Sequence, residues 1–170
     1  MDRNQDGEIT QADQYFTGKS PMPKVFMGLN SQFRYKNWDL GFNLRANFGN
    51  YVFYGFAADH TTLAHFNNQG FINNYSVDAD KYGWTKMSEN YLKTSDLYLE
   101  NASFLKLDNI TVGYTCDKFF TEKISGRVSA SVQNVFTITG YSGLDPESSA
   151  IDSKIWPRPR TFTVGLSLNF

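Results

Sequence analysis

Apolar and polar residues alternate along several long stretches of this sequence. Between residues 25 and 35 most apolar side chains share the odd positions, and between 38 and 48 they share the even positions. All charged residues in both stretches fall on the opposite parity. Because successive strand side chains point to opposite faces, this pattern predicts two strands that each have one apolar face. The break at Lys36-Asn37 between them predicts a hairpin.

Three further stretches show the same alternation, at about residues 103–115, 127–138 and 161–170. In the first of them the apolar parity changes midway, which predicts a β-bulge near Asp108-Asn109 that would restore a single apolar face. The last stretch ends the sequence on an apolar residue, which suggests that either a protein core or a lipid bilayer covers it. Its apolar residues are Phe162, Val164, Leu166, Leu168 and Phe170.

The connections between these strands differ greatly in length. We interpret 1–24 as an external loop, 25–49 as the hairpin, 50–102 as a long loop, and 103–170 as three strands with a loop at 139–160. Each hairpin arm is close to the roughly 9–11 residues that a tilted strand needs to cross a hydrocarbon core. Alternation of short turns with long loops is typical of outer-membrane barrels. The prediction is an all-β fold of antiparallel up-and-down strands, the C-terminal part of a transmembrane β-barrel.

Membrane-edge aromatic residues are a second mark of such barrels. With the short turns placed on one side of the bilayer, four aromatic side chains gather at the same edge: Tyr35, Trp38, Tyr114 and Phe170. The alternative is a soluble β-sandwich, whose strands also alternate because two apolar faces pack on each other. Strand length, loop segregation and the apolar end favour the membrane.

Composition excludes several classes of function. The 170 residues have a formal net charge of -1, so the sequence lacks the basic excess of a nucleic-acid binder, and we expect no nucleic-acid partner. We find no nucleophile elbow, phosphate-binding loop or paired catalytic carboxylates, so the chain is not predicted to be an enzyme and has no predicted catalytic residue. Cys116 is the single cysteine and is interpreted as an ordinary thiol.

The segment DRNQDGEITQAD has the spacing of a calcium-binding EF-hand loop. Oxygen-bearing side chains stand at the liganding offsets and Gly7 at the sharp bend, although Asp13 replaces the usual glutamate and reaches less far. The candidate calcium ligands are Asp2, Asn4, Asp6, Glu8, Thr10 and Asp13. A solvated turn built from Asx residues is the alternative.

Aromatic residues of the loops could stack on sugar rings, since an aromatic face suits the apolar side of a pyranose. The weak candidates for substrate binding are Tyr51, Tyr54, Trp84 and Tyr141, although packing within the loop is the favoured interpretation of such residues. His60 and His65 lack the neighbouring ligands of a metal site.

Three segments, SFLKLDNITVGY, VQNVFTITGYSGLDPE and WPRPRTFTVGLSLNF, resemble the C-terminal signature of the SusC/RagA family of TonB-linked outer-membrane receptors. The segment PMPKVFMGLN and the acidic stretch before it resemble the part that precedes the final strands in that family. The resemblance covers 103–170 closely, whereas 60–92 matches no known pattern.

The resemblance implies a large plugged barrel in the outer membrane that imports glycan oligomers or peptides beneath a SusD-like surface lipoprotein. It also implies coupling to TonB, and reading of the apolar last strand, with Phe170 at its end, by the outer-membrane assembly machinery. The sequence shows no plug domain, TonB-contacting segment or signal peptide, so we expect a piece of a longer receptor. The alternative function is a soluble calcium-binding β-sandwich for adhesion or carbohydrate binding.

Overall fold

The computed structural model describes residues 3–7, 10–60, 95–118, 124–153 and 156–169. Its principal feature is a five-stranded antiparallel sheet with the strand order β1-β2-β5-β6-β7. The strands are β1 (Val25–Tyr35), β2 (Trp38–Phe48), β5 (Phe104–Cys116), β6 (Ser125–Thr139) and β7 (Thr161–Asn169). Two short strands, β3 (Tyr51–Phe53) and β4 (Leu99–Asn101), form a separate antiparallel pair. The predicted all-β, up-and-down fold is confirmed.

Neighbouring strands of the large sheet follow one another in sequence, apart from the detour of the chain through β3 and β4 between β2 and β5. Register places apolar residues in continuous rows, of which one runs Phe42, Ile110, Val132, Phe162. The sheet is open, with β1 and β7 at its two edges. No helix in the described residues is long and apolar enough to cross a membrane.

The predicted bulge is present. Register between β2 and β5 shifts at Asp108, which is the extra residue between Leu107 and Asn109. Opposite it, β6 also carries extra residues, because Gln133 pairs with Asn109 and Phe136 pairs with Leu107. Asn134, one of the two residues between them, has a φ of 54°, a left-handed conformation that asparagine tolerates better than most side chains.

The hairpin turn at Lys36-Asn37 connects β1 to β2 with Lys36 at a φ of 53°. Asn37 also anchors the turn to the neighbouring strand. Its Nδ2 donates to the Thr115 carbonyl at 2.6 Å, and the Thr115 N–H donates to the Asn37 carbonyl at 2.8 Å. The connection at this end of the sheet is therefore short. At the opposite end the strands are connected by the long segments 49–103 and 140–160, and the segment 1–24 leads into β1 there.

The remaining residues form a second compact unit, made from 1–23, 49–102 and 140–157, which we call the loop unit. Besides β3 and β4 it contains the short helix α1 (Gly55–His60) and two 3-10 turns, Gln11–Asp13 and Asp96–Tyr98. Its core is small and rich in tyrosine and alanine, with the members Val52, Tyr54, Ala57, Ala58, Tyr98, Ala102 and Tyr141. The region predicted as a long loop thus has its own hydrophobic core.

Candidate functional site

One face of the five-stranded sheet is apolar and exposed. Phe33 is 56% exposed on β1, and Val164 is 79% exposed on β7. The five strands form a single layer, so no other strand of the sheet covers this face, although exposure of so much contiguous apolar surface is unfavourable in water. The face contains no charged residue in any of the five described strands. It therefore has the chemistry of a surface that contacts lipid or another apolar partner.

The predicted aromatic group lies at the short-turn end of this face. Tyr35, Trp38 and Tyr114 occupy one cross-strand row, and the ring centroids of Trp38 and Tyr114 are 4.8 Å apart. All three side chains are exposed. Rings with an apolar body and a polar tip suit a membrane–water interface. Phe170, the fourth predicted member, lies outside the described residues.

The last strand presents Phe162, Val164 and Leu166 on the same exposed face, with Leu168 partly buried at its end. In register they oppose Val132, Ala130, Val128 and Gly126 of β6. Recognition of this strand by the assembly machinery stays a prediction. Geometrically, β7 has one free backbone edge and one apolar face available to a partner.

The opposite face of the sheet is polar apart from Phe26 and Phe104, which lie at the end away from the short turns. A row of amides and hydroxyls crosses its middle, in the order Asn30, Asn43, Asn109, Gln133, Thr161. Charged side chains lie on either side of this row and form two groups. We call them the lower cluster, which lies nearer the short turns, and the upper cluster, which lies nearer the strand ends that continue into 49–103 and 140–160.

The lower cluster is centred on an ion pair between strands that are not neighbours. Arg127 of β6 donates through Nε and Nη2 to both oxygens of Asp39 of β2, at 3.0 and 2.6 Å. The pair passes over Gly113 of β5, where a Cβ atom would lie 2.7 Å from Asp39 Oδ2. Arg34 of β1 stands opposite Asp39 in register. The cluster holds two guanidinium groups and one carboxylate.

The upper cluster surrounds the bulged residue Asp108. Arg45 donates to both of its carboxylate oxygens, with 2.9 Å between Nη2 and Oδ1, and Lys106 Nζ lies 3.8 Å from Oδ1. Arg158 lies close enough to attract the same carboxylate. Arg160 Nε donates to the Asn134 carbonyl at 3.3 Å. The extra residue of the bulge thus supplies the acceptor for a group of basic side chains. The alternation of the sequence predicted the bulge but not these partners. Arg45 and Lys106 both fall on the polar side of their strands, which could have suggested that they lie near Asp108.

The loop unit buries two of the predicted aromatic residues. Tyr54 and Tyr141 pack edge to face with ring centroids 5.8 Å apart. The Tyr141 hydroxyl donates to Asp152 Oδ2 at 3.2 Å, and burial together with this carboxylate raises the pKa of Tyr141 above its ordinary range. These rings have packing roles in the structure, as the favoured interpretation expects. Trp84 lies outside the described residues.

Tyr51 is different because it lines a cavity of about 440 Å³ on the loop unit. Phe53, Leu99 and Ile151 supply its apolar walls. Lys19 lies at this cavity with its Nζ 5.2 Å from the centroid of the Tyr51 ring. The volume falls within the range of small-ligand pockets, and Phe53 and Lys19 are members that sequence reasoning did not single out. A role in substrate binding for Tyr51 stays a prediction.

The EF-hand-like segment is ordered around Asp13. Its carboxylate accepts backbone N–H bonds from Arg3 at 2.7 Å and from Thr10 at 2.8 Å, while Thr10 Oγ1 caps the 3-10 turn by accepting from Ala12. Bonds from Thr10 and Arg3 lower the pKa of Asp13 below its ordinary value. Asn4 Nδ2 donates to Asp6 Oδ2 at 2.6 Å.

Asp2 and Glu8, the other two carboxylates of this segment, lie outside the described residues, as does His65. Among the residues that the structure describes, no group of three or more His, Cys, Asp or Glu side chains could hold a metal ion. The hydroxyl of Tyr15 donates to Asp96, which raises the pKa of Tyr15 and ties the segment to the second 3-10 turn. Calcium binding stays a prediction.

Comparisons with known proteins identify relatives of this chain. No protein-family model matches the chain. Over its whole length the chain is 43% identical to the TonB-dependent receptor SusC of Bacteroides thetaiotaomicron, of which it covers 17%. It is 27% identical to the TonB-dependent receptor P3 of Formosa agariphila, with 99% of the chain and 18% of that receptor covered. The chain thus spans less than a fifth of the length of these curated relatives.

Solved structures agree on the fold. The RagAB peptide importer in its closed-closed state superposes with a TM-score of 0.66 at 21% identity, over 97% of this chain and 20% of that one. A second structure of the RagAB peptide transporter gives a TM-score of 0.65 over 92% of this chain and 19% of that one. Because it is 43% identical to SusC over its whole length, the chain belongs to the SusC/RagA family of TonB-dependent receptors.

Proposed function

We propose that the protein containing this chain is a TonB-dependent importer of the outer membrane and that the five-stranded sheet is part of the wall of its barrel. The observation that best supports this proposal is the division of the sheet into an exposed apolar face and a polar face that bears its charged side chains. A barrel wall needs such a division because its outside contacts lipid and its inside contacts water. The remaining wall then comes from strands that pair with β1 and β7.

The free edges support this assignment. Unpaired backbone groups in hydrocarbon cost several kcal/mol each, so an open sheet is not stable there by itself. Pairing of β1 and β7 with further strands of the same receptor would satisfy them. The soluble β-sandwich would instead require a second layer over the apolar face, whereas the five strands of this sheet form a single layer.

Glycan oligomers and peptides are the proposed cargo, taken up together with a SusD-like surface lipoprotein. RagAB, which shares the fold, is described as a peptide importer. The cavity beside Tyr51 has mainly apolar walls and one amine, features that suit a ring or an aliphatic group of either kind of ligand. Calcium at 2–13 is proposed as a structural ion of the loop unit.

Energy coupling provides the test. Uptake of a labelled oligomer by cells that express the receptor is expected to stop when TonB is deleted and to return when TonB is restored. The matched control is uptake of a small solute through general porins, which does not depend on TonB. Uptake of the oligomer that continues unchanged without TonB would contradict the proposal.

A further inference from the structure

The two faces of the sheet differ in charge as well as in polarity, and the charge is unevenly divided along the chain. The residues of the sheet unit, 24–48, 103–139 and 158–170, include ten Lys or Arg and four Asp or Glu, a formal charge of +6. The rest of the chain has a formal charge of -7. The near-neutral total therefore conceals a basic sheet, which the net charge of -1 does not reveal.

The charged side chains of the five strands lie on the polar face. The lower cluster contributes Arg34 and Arg127 against Asp39, and the upper cluster contributes Arg45, Lys106 and Arg158 against Asp108. Each carboxylate is already engaged by an arginine in a two-point ion pair. Counted over these groups alone, basic side chains outnumber carboxylates by two to one in the lower cluster and by three to one in the upper cluster.

Two of the basic side chains are not held by a carboxylate in an ion pair. The Arg34 side chain makes no hydrogen bond or salt bridge to any residue that the structure describes, and it attracts the Asp39 carboxylate, which Arg127 already holds, only at longer range. Arg160 donates to a carbonyl there. Both residues are exposed, Arg34 on β1 and Arg160 directly before β7. A guanidinium forms its strongest contacts with carboxylate, sulfate or phosphate groups, so these two are available to bind an anion.

Spacing along the strands is the remaining observation. Asp39 and Arg45 lie on the same strand and face, six residues apart, which corresponds to about 20 Å at the usual strand rise. Between the clusters lie the uncharged amides and hydroxyls of the polar face, including Asn43 and Ser131. Low-dielectric walls focus the field of such charges into an aqueous channel. The two clusters would thus act in series along the barrel axis.

From this arrangement we propose that the polar face of the sheet is an anion-selecting wall, and that the imported oligomers bear carboxylate or sulfate groups. This inference rests on the proposed function and names the chemical class of its cargo. Acidic peptides and uronic-acid glycans share the recognised chemistry. Neutral oligomers would gain nothing from Arg34 and Arg160.

The first test measures the potential at this wall without any assumption about the cargo. Ser131 lies between the clusters, so S131C in a receptor whose other cysteines, Cys116 included, are replaced by serine places a single thiol there. Its rates of modification by an anionic sulfonatoethyl and a cationic trimethylammonioethyl methanethiosulfonate are measured in the receptor and compared with those of free 2-mercaptoethanol. We expect the anionic reagent to be favoured relative to the free thiol by about tenfold.

Removing the charges of Arg34 and Arg160 then tests whether these side chains cause the preference for the anionic reagent. The double change R34Q and R160Q is expected to reduce that preference about threefold or more, whereas K36Q, which removes the same charge at the turn, leaves it nearly unchanged. A preference for the cationic reagent, or no response to the double change, would overturn the inference.

Cargo is tested last, with matched probes. Uptake of a glutamate-containing pentapeptide is compared with its glutamine isostere, and uptake of an oligogalacturonate with its methyl ester. Preference for the charged member of either pair, weakened by R34Q and R160Q, supports the inference and identifies the source of the anion. Equal uptake within both pairs would contradict it. Uptake that continues without TonB would overturn the proposed function, but it would not affect the charge preference measured at S131C.

Discussion

Asp39 and Arg127 form a bidentate ion pair across a strand that lies between their own two strands, with 2.6 Å between Oδ2 and Nη2. Gly113 makes this possible, because any side chain at that position would meet both partners. Three neighbouring strands of the sheet, β2, β5 and β6, are thereby linked on the polar face by side chains in addition to their backbone hydrogen bonds.

Replacing Gly113 by alanine is expected to destabilise the folded receptor by about 1–3 kcal/mol, since the new methyl group overlaps the ion pair and forces it apart. The measurement is the midpoint of urea unfolding in detergent micelles. Gly28→Ala is the matched control, because Gly28 also lies in a strand and a Cβ there would meet no atom within 4 Å. Equal shifts in both variants would show that loss of the glycine, and not the ion pair, is responsible.

An arginine introduced on the apolar face should destabilise the receptor far more than an arginine introduced at the adjacent position on the polar face. Val132→Arg places a guanidinium among Ile110 and Phe162 and is expected to cost about 2–4 kcal/mol at mid-membrane depth. Ser131→Arg adds the same group one residue away on the other face. The amount of folded receptor in isolated outer membranes is the readout, and comparable loss in both variants would argue against a lipid-facing surface.

The segment around Asp13 should keep its order until the pH falls below 3.8. Because the native pKa of Asp13 lies below its ordinary value of 3.8, its stabilising bonds persist above that value and are lost as pH falls through the lower native value. Hydrogen exchange of the Arg3 and Thr10 amides, expressed as protection relative to the intrinsic exchange rate at each pH, is expected to stay slow above pH 3.8 and to lose its protection as pH falls through the lower native pKa. Asp13→Asn should accelerate it at neutral pH, and protection that is unchanged in this variant would refute the role of the carboxylate.

Calcium binding is a separate expectation for the same segment. Calorimetric titration of the receptor with calcium should show a binding event that Asp6→Ala weakens, because Asp6 supplies an oxygen at the third liganding offset. Asp59→Ala removes a carboxylate from α1 and serves as the control. Identical calcium uptake by the native receptor and by Asp6→Ala would exclude this segment.

The sequence predicts the strands well because alternation is a direct record of which face each side chain occupies. The bulge at Asp108 was predictable since one extra residue inverts the parity. The irregularity at Asn134 was not, because two extra residues restore the parity and leave Phe136 on the same parity as Val132. Only the tolerance of asparagine for a positive φ hints at it.

Other features depend on contacts that no local pattern records. The pairing of β3 with β4 joins three-residue strands about 50 residues apart, so neither strand is long enough to show a period. The Asp39–Arg127 pair links strands that are not neighbours, and Gly113 gives no local sign of the space that it provides. The core of the loop unit unites three separate segments, which local sequence could not predict.

Single-cysteine labelling along β6 tests the central claim most directly. Nitroxide labels are attached one at a time at residues 128–133 of a receptor in outer membranes whose other cysteines, Cys116 included, are replaced by serine. Their relaxation by oxygen, which partitions into lipid, is compared with their relaxation by a water-soluble nickel chelate. Val128, Ala130 and Val132 should be more accessible to oxygen, and Ser129, Ser131 and Gln133 more accessible to nickel. Equal accessibility at odd and even positions, or oxygen accessibility on the Ser131 side, would contradict the account.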